Sequence, residues 1–465
     1  MTTTLAPKAV VPAHLLKRAA FTTNRALEFF TESELRTQIG YGRKMWPAVI
    51  AKELIDNALD ACETAGVSPI ITIRLDAGAL TVSDNGAGLP TTTIQQSLDY
   101  AVRVSDKKHY ISPTRGQLGN ALKCVWAVPF VISGNSYGKV EVTSCGEQRT
   151  IEVRLNRVSQ APDIAVQSVP FVQSGTSIKV YWPEIACELV DLEMLDLYNA
   201  PFETGLKSLV AGFAAMNPHA EFRLEGLVEA CFPPADVGPS RWVKWLANQP
   251  TSPHWYTPDE LRDLLLAYIH EEMEGGRART VREFVSEFEG LRRPPTQKQV
   301  TEAFGRTGTL QSLLVDNDIP LPVVEKLLES MKTFSRPVKP QRLGGLIGKN
   351  HIQKVLAQFG VATERVEYQR IVAVGLDGLP HVIEVAFGLR SDKSSKRILL
   401  IGLNHSPTFQ IPTGTISEVL NNRRVQKTDP AVLFIHEACP KFAFVGHGKG
   451  AIDEWKSMPT GEDND

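Results

Sequence analysis

Over Glu53-Leu54-Ile55-Asp56-Asn57-Ala58-Leu59-Asp60-Ala61 the chain has a helical rhythm, with polar Glu53, Asn57 and Asp60 set three and four positions apart. Glu53 and Asn57 therefore share one helix face. Before it, the pattern predicts a helix around Leu27–Thr37, and after it short β-rich runs at Ile70–Leu75 and Leu80–Ser83. An apolar helix from Ala121 to Val128 and strands at Val140–Ser144, Thr150–Leu155 and Ile178–Tyr181 complete the first part. The sum is a sheet backed by helices on one face, an α+β sandwich.

The pattern then changes twice. From about Leu189 to Lys349 it predicts proline-broken helices at Leu195–Ala215, Pro258–Glu274, Val281–Leu291, Gln297–Gly308 and Leu321–Lys332. Strands return at Val366–Gly375, His381–Gly388, Arg397–Leu403 and Ala431–Glu437, with one helix near Ile416–Asn422. No internal repeat is visible. The boundaries that follow are a flexible arm over 1–22, an α/β domain over 23–188, a helical domain over 189–349, an α/β domain over 350–455 and an acidic tail over 456–465. A chain of 465 residues fits about three domains of roughly 150 residues each.

Composition narrows the class. Hydrophobic content of 43% and charged content of 22% are those of an ordinary globular protein. A net charge of −2 excludes a wholly basic nucleic-acid binder, so contact with DNA must come from local patches. Cys62, Cys124, Cys145, Cys187, Cys231 and Cys439 are scattered without a CxxC pair and read as free thiols in a reducing compartment, hence a cytoplasmic location. No apolar run reaches the ~18 residues of a membrane span. The acid-free opening, with Lys8, Lys17, Arg18 and Arg25, fits a flexible arm better than a transit peptide.

Two glycine-bearing stretches add chemistry to the helix. Asp84-Asn85-Gly86-Ala87-Gly88 ends a β-branched strand with an acid and two glycines, where backbone turns tightly and approaches a ligand. Arg115-Gly116-Gln117-Leu118-Gly119-Asn120 runs into the Ala121 helix, a natural phosphate cradle at a helix N-terminus.

In this order, and with Gly175-Thr176-Ser177-Ile178-Lys179-Val180 as a fourth motif, these stretches resemble the Bergerat-fold ATP site of the GHKL family: gyrase, heat-shock ATPase chaperones, MutL and histidine kinases. The resemblance implies ATP and Mg²⁺ as cofactors. Asn57 would give the metal an oxygen, and Glu53 would orient or deprotonate the attacking water. Asp84 would accept from the adenine amino group, Gly86 and Gly88 would shape its turn, and Thr176 would close the adenine pocket. Gly116, Gln117, Leu118, Gly119 and Asn120 would hold the phosphates, and Val104 to Thr114 would be a lid.

Further motifs narrow the likeness to the B subunit of type IIB topoisomerases (topoisomerase VI): Glu28-Phe29-Phe30 with Ile39-Gly40-Tyr41, Ser105-Asp106-Lys107, and Asn217-Pro218-His219-Ala220. Gly345-Leu346-Ile347-Gly348, Pro380 to Ala386 and Ala431 to His436 resemble its transducer domain. The implied architecture is an N-terminal Bergerat-fold sandwich, a middle helical domain in the place of a helix-two-turns-helix module, and a C-terminal transducer-like α/β domain. In type II topoisomerases a transducer lysine reaches the γ-phosphate. Lys449, between Gly448 and Gly450, matches that switch lysine better than Lys441.

The phosphate loop departs from the family: Ala121 stands where a third glycine is common, and Lys123 adds a charge placed either to reach a phosphate or to stand solvated. The chain thus reads as a divergent relative. Residues 330–363 lack Asp and Glu but carry Lys332, Arg336, Lys339, Arg342, Lys349 and Lys354, a candidate DNA contact. The expected function is an ATP-operated clamp subunit, nucleoid-associated, homodimerising through its ATPase domain. No paired-acid signature of a toprim domain is present, so DNA cleavage would belong to a toprim-containing A-type partner in a heterotetramer. The alternatives are a stand-alone GHKL ATPase remodelling DNA or protein and a non-enzymatic scaffold; intact Glu53, Asn57 and Asp84 weigh against the scaffold.

Overall fold

The computed structural model describes residues 29–100, 109–115, 121–156, 161–190, 193–195, 201–203, 205–235, 244–246, 248–344, 347–375, 377–392, 396–409, 429–442, 444–445 and 451–452. In chain order, α1 (Glu32–Ile39) and α2 (Trp46–Thr64) lead to β1 (Ile70–Asp76) and β2 (Ala79–Ser83). Then come α3 (Thr91–Leu98), α4 (Ala121–Ile132), β3 (Gly138–Ser144), β4 (Glu147–Asn156), β5 (Ala161–Pro170) and β6 (Thr176–Tyr181). They are followed by α5 (Ile185–Val190), β7 (Glu193–Leu195), β8 (Pro201–Glu203), α6 (Leu206–Met216), β9 (Glu221–Gly226) and β10 (Ala230–Phe232).

These strands build an eight-stranded sheet in the order β10-β9-β1-β2-β6-β3-β4-β5. Its pairs are antiparallel except β1 with β9. Alternation decides its faces: Ile71, Ile73, Leu75, Leu80, Val82, Val140, Val142, Ile151, Val153, Ile178 and Val180 point into one core. Helices α2, α4 and α6 supply the other side of that core through Ile50, Leu54, Val125, Trp126, Val210 and Phe213.

A helical unit follows, of α7 (Pro258–Met273), α8 (Val281–Ser286), α9 (Pro294–Phe304) and α10 (Leu321–Thr333). Thr257 and Thr280 each open a helix with a capping box, paired with Glu260 and Glu283 three residues on. Its own core gathers Leu261, Leu265, Phe284, Phe288, Val300 and Leu327. After α11 (Lys349–Ala357) the chain forms β11 (Glu367–Val374), β12 (Pro380–Leu389), β13 (Arg397–Leu403), β14 (Ser406–Pro407) and β15 (Ala431–Ala438). The second sheet runs β11-β12-β15-β13-β8-β7, with β14 on β13. One side of this sheet joins the first core through Ile398, Leu400, Val432 and Phe434, so the two sheets are packed together through shared helices.

Several expectations need correction. The helix predicted over Leu195–Ala215 is only α6: β7 and β8 precede it and β8 pairs in parallel with β13, because Pro201 and Gly205 break a helix. Within the span 189–349, β9 and β10 join the first sheet, β9 lying in register with β1 from Ile70↔Glu221 to Leu75↔Gly226, and α6 lies in the first core. Helix α3 and strand β5 have no counterpart among the predicted elements. The N-terminal helix begins at Glu32, where the Thr31 side chain accepts from the Glu34 N–H at 3.2 Å. The helix predicted near Ile416–Asn422 lies outside the described residues.

Candidate functional site

Helix α2 is pinned at its start, where Trp46 Nε1 donates to the Tyr41 carbonyl at 3.0 Å. Trp46, Val49, Ile50, Leu54, Ala58, Leu59 and Cys62 bury its apolar stripe, which leaves the Glu53–Asn57 face outward. Asn57 is exposed, and its side chain makes no hydrogen bond among the described residues. Glu53 is half-buried, its Oε1 3.5 Å from Lys52 Nζ.

The Asp84 turn is fastened to the far end of this helix. Asn85 Oδ1 accepts from the Ile70 N–H at 2.8 Å and from Cys62 Sγ at 3.3 Å, while Asn85 Nδ2 donates to the Ser68 carbonyl. A side chain on Gly86 would stand 3.0 Å from the backbone of Ala61 and Cys62, so glycine lets the turn lie against α2. Gly88 adopts φ +94° beside Ser144 and Cys145.

Asp84 Oδ1 accepts the N–H of Gly86 at 2.8 Å and of Thr176 at 3.2 Å, and the Asp84 N–H donates to the Thr176 carbonyl at 2.8 Å. Thr176 is buried. Its neighbour Gly175, at φ +76°, is pressed on the same turn: a Cβ there would fall 1.9 Å from the Asp84 carbonyl oxygen. Burial pushes the Asp84 carboxyl above its ordinary range, against the Gly86 and Thr176 hydrogen bonds that pull it down. A carboxylate has about four acceptor positions, so room remains for one more donor. The structure thus brings Glu53, Asn57, Asp84, Gly86, Gly88 and Thr176 onto neighbouring elements.

Gly116, Gln117, Leu118, Gly119, Asn120 and Lys449 lie outside the described residues. Lys123, expected at a phosphate or in solvent, is buried: it donates to the Asp99 carbonyl and lies 5.7 Å from the centre of the Tyr100 ring. The solvated alternative is therefore excluded. Lys441 pairs with Glu260 at the start of α7. In the basic stretch, Lys332 donates to the Tyr256 carbonyl at 3.2 Å and Arg342 pairs with Glu289 at 2.8 Å, whereas Arg336, Lys339 and Lys349 are exposed. No group of three or more His, Cys, Asp or Glu able to hold a metal ion occurs among the described residues. Nor is any described helix long and apolar enough to cross a membrane.

One polar cluster was missed by the sequence. Arg115, read as the lead-in to a phosphate loop, turns inward to Asp60 and Glu63 of α2, Asn217 and the His405 carbonyl. Lys244 and His219 also reach Glu63. The Arg115 and Lys244 cations hold the Glu63 carboxyl well below its usual range despite burial. Burial, with Arg115 beside it, takes Lys244 down to about 8. The sole local signal was the run of acids Asp56, Asp60 and Glu63 at helical spacing.

The helix-backed, mainly antiparallel sheet, with an acid–glycine turn closed by Thr176, resembles a class, the α+β Bergerat type of the GHKL ATPases. More particularly, the chain resembles, as a divergent relative, the topoisomerase VI B subunits. It is 27% identical over 202 residues to the B subunit of type 2 DNA topoisomerase 6 from Archaeoglobus fulgidus, covering 42% of this chain and 31% of that protein. Its counterpart from Methanosarcina mazei is 28% identical over 184 residues, 37% of this chain and 27% of that one. The match therefore spans less than a third of the length of these curated relatives. No protein-family model matches the chain. Among solved structures, the N-terminal domain of a DNA repair protein aligns with a TM-score of 0.35 at 12% identity, over 84% of this chain and 83% of that one. The ATPase domain of Aquifex aeolicus MutL aligns with a TM-score of 0.32 at 12% identity, over 84% of this chain and 88% of that one.

Proposed function

We propose that the chain binds and hydrolyses ATP with Mg²⁺, as the clamp subunit of a type IIB topoisomerase-like assembly. The carrying observation is the Asp84 carboxylate, fixed by the N–H groups of Gly86 and Thr176 beside the helix that presents Glu53 and Asn57. The donor set fits the cofactors. Asp84 keeps an acceptor position for an exocyclic amine, and the unengaged Asn57 amide has an oxygen for a hard cation that otherwise prefers water and phosphate oxygens. Mg²⁺, when bound, would neutralise phosphate charge in the transition state.

The chain's own residues divide the remaining work. Asp84, braced by Asn85 and Gly175, orients the base of the nucleotide. Glu53, on a helix fixed at both ends, holds the attacking water and accepts its proton. Gly116 to Asn120 cradle phosphates before α4, and Lys449 reaches the γ-phosphate from the second α/β unit. Two chains would close around DNA through their ATPase units when nucleotide binds, with exposed Arg336, Lys339 and Lys349 meeting phosphates. A toprim-containing partner would cut the DNA, and the assembly would work at the nucleoid.

The test is Glu53→Ala. It is expected to bind ATP at near wild-type affinity and to lose hydrolysis; a folded variant that hydrolyses ATP normally, or cannot bind it, removes Glu53 from this role.

A further inference from the structure

The buried cluster on the other side of α2 takes no part in the steps above, yet the same rigid helix carries both. Arg115 has a fully enclosed side chain. Its Nη1 donates to Asp60 Oδ1 and Glu63 Oε2, each at 2.9 Å, and its Nη2 to Glu63 Oε1 at 3.0 Å and Asn217 Oδ1 at 2.5 Å. Nε reaches the His405 carbonyl at 3.3 Å, in the turn between β13 and β14, and stands 3.7 Å from Asp56 Oδ1. The next residue of that turn, Ser406, donates to Asp56 Oδ2 at 2.7 Å. One guanidinium thus joins α2, the turn after α6 and the second sheet.

The backbone just before Arg115 is held elsewhere. Ile111 sits in the core of the helical unit: its N–H donates to Tyr256 Oη at 2.9 Å and its carbonyl accepts from Thr251 Oγ1 at 2.5 Å. Three residues separate Ile111 from Arg115, so the four Cα–Cα steps span at most about 14 Å. A shift of the helical unit against α2 must therefore move Arg115 or break its bonds. Buried ion pairs of this kind contribute little net stability compared with apolar packing, but they tolerate few alternative geometries.

We propose that Arg115 is a positioning residue for the ATP reaction, fixing α2, and through it Glu53 and Asn57, relative to the helical unit and the second sheet. This rests on reading α2 as the ATP helix. Asp60 lies two helical turns beyond Glu53 on one continuous helix, so a tilt imposed at Asp60 and Glu63 is carried to the water-activating carboxylate. Misplacement by a fraction of an ångström lowers turnover more than binding.

The experiment measures ATPase kcat, KM and the Kd of a non-hydrolysable ATP analogue in the full chain, for Arg115→Lys, Thr251→Val and the double variant, with melting temperatures. Arg115→Lys, which keeps charge but loses the fork, is expected to lower kcat about tenfold or more with KM and Kd within about twofold. Thr251→Val touches neither α2 nor the nucleotide face and is expected to lower kcat about threefold, with no further loss when added to Arg115→Lys. If Arg115→Lys does not fold, Thr251→Val alone carries the test. Wild-type kcat in either variant, losses that multiply in the double, or a change confined to melting temperature would overturn the proposal. Glu53→Ala, run beside them, separates the two readings: if it still hydrolyses ATP the site assignment fails, and if it does not while Arg115→Lys is normal, only the positioning role fails.

Discussion

His436→Asn should make the protein measurably less sensitive to acid. His436, on β15, and His405 are fully buried with ring centres 4.5 Å apart. The backbone N–H of His405 donates to His436 Nε2 at 2.9 Å, which requires that nitrogen unprotonated, and His405 Nδ1 lies 3.0 Å from the Met216 carbonyl. Burial, with Arg115 and Lys244 nearby, takes His436 down to about 3, and burial and His436 hold His405 well below its ordinary value. Both folded-state values lie below the unfolded value near 6.5. The unfolded chain therefore takes up protons first, and stability that is complete above pH 6.5 is lost as pH falls toward 3.

At pH 5, about 1.5 units below the unfolded value, the His436 ring costs roughly 2 kcal/mol relative to pH 7, and His405 adds to it in the same direction. Asparagine at 436 can still accept the His405 N–H but does not titrate. Urea unfolding at pH 7, 6 and 5 should show the variant losing about 2 kcal/mol less than wild type over this interval. The raised carboxyls of Asp56 and Glu384 are present in both proteins and cancel in the difference. Equal pH slopes, or an NMR titration of folded His436 centred near 6.5, would refute the reasoning.

Gly175→Ala, which puts a Cβ 1.9 Å from the Asp84 carbonyl oxygen at φ +76°, should weaken ATP binding about tenfold or more; calorimetry showing unchanged affinity would detach this turn from the nucleotide. Lys449→Ala should cut kcat by ~10²-fold while sparing analogue binding, and Lys441→Ala, which loses only its pair with Glu260, should stay near wild type; the reverse order in steady-state kinetics would end the switch-lysine assignment. A non-hydrolysable ATP analogue should double the mass seen by light scattering, and a constant mass at saturation would remove the clamp.

Local spacing alone made the chemistry-bearing elements legible. A helix of period 3.6 must put Glu53 and Asn57 on one face, and an acid followed by two glycines after a β-branched strand must turn where Asp84 does. Thr176 was legible only through the resemblance of Gly175 to Val180 to a fourth motif, and the positive φ of Gly175 against the Asp84 carbonyl came from the tertiary structure. Tertiary structure decided what local pattern cannot encode. β9 has the same two-residue period in any sheet, and its place beside β1 depends on α6 crossing back over the first core. Lys123 lies inward because the Asp99 carbonyl and the Tyr100 ring meet it there. Arg115 carries a charge that suits a phosphate or a carboxylate equally. Only the approach of α2, Asn217 and the β13–β14 turn, up to 290 residues away in the chain, chose the carboxylates.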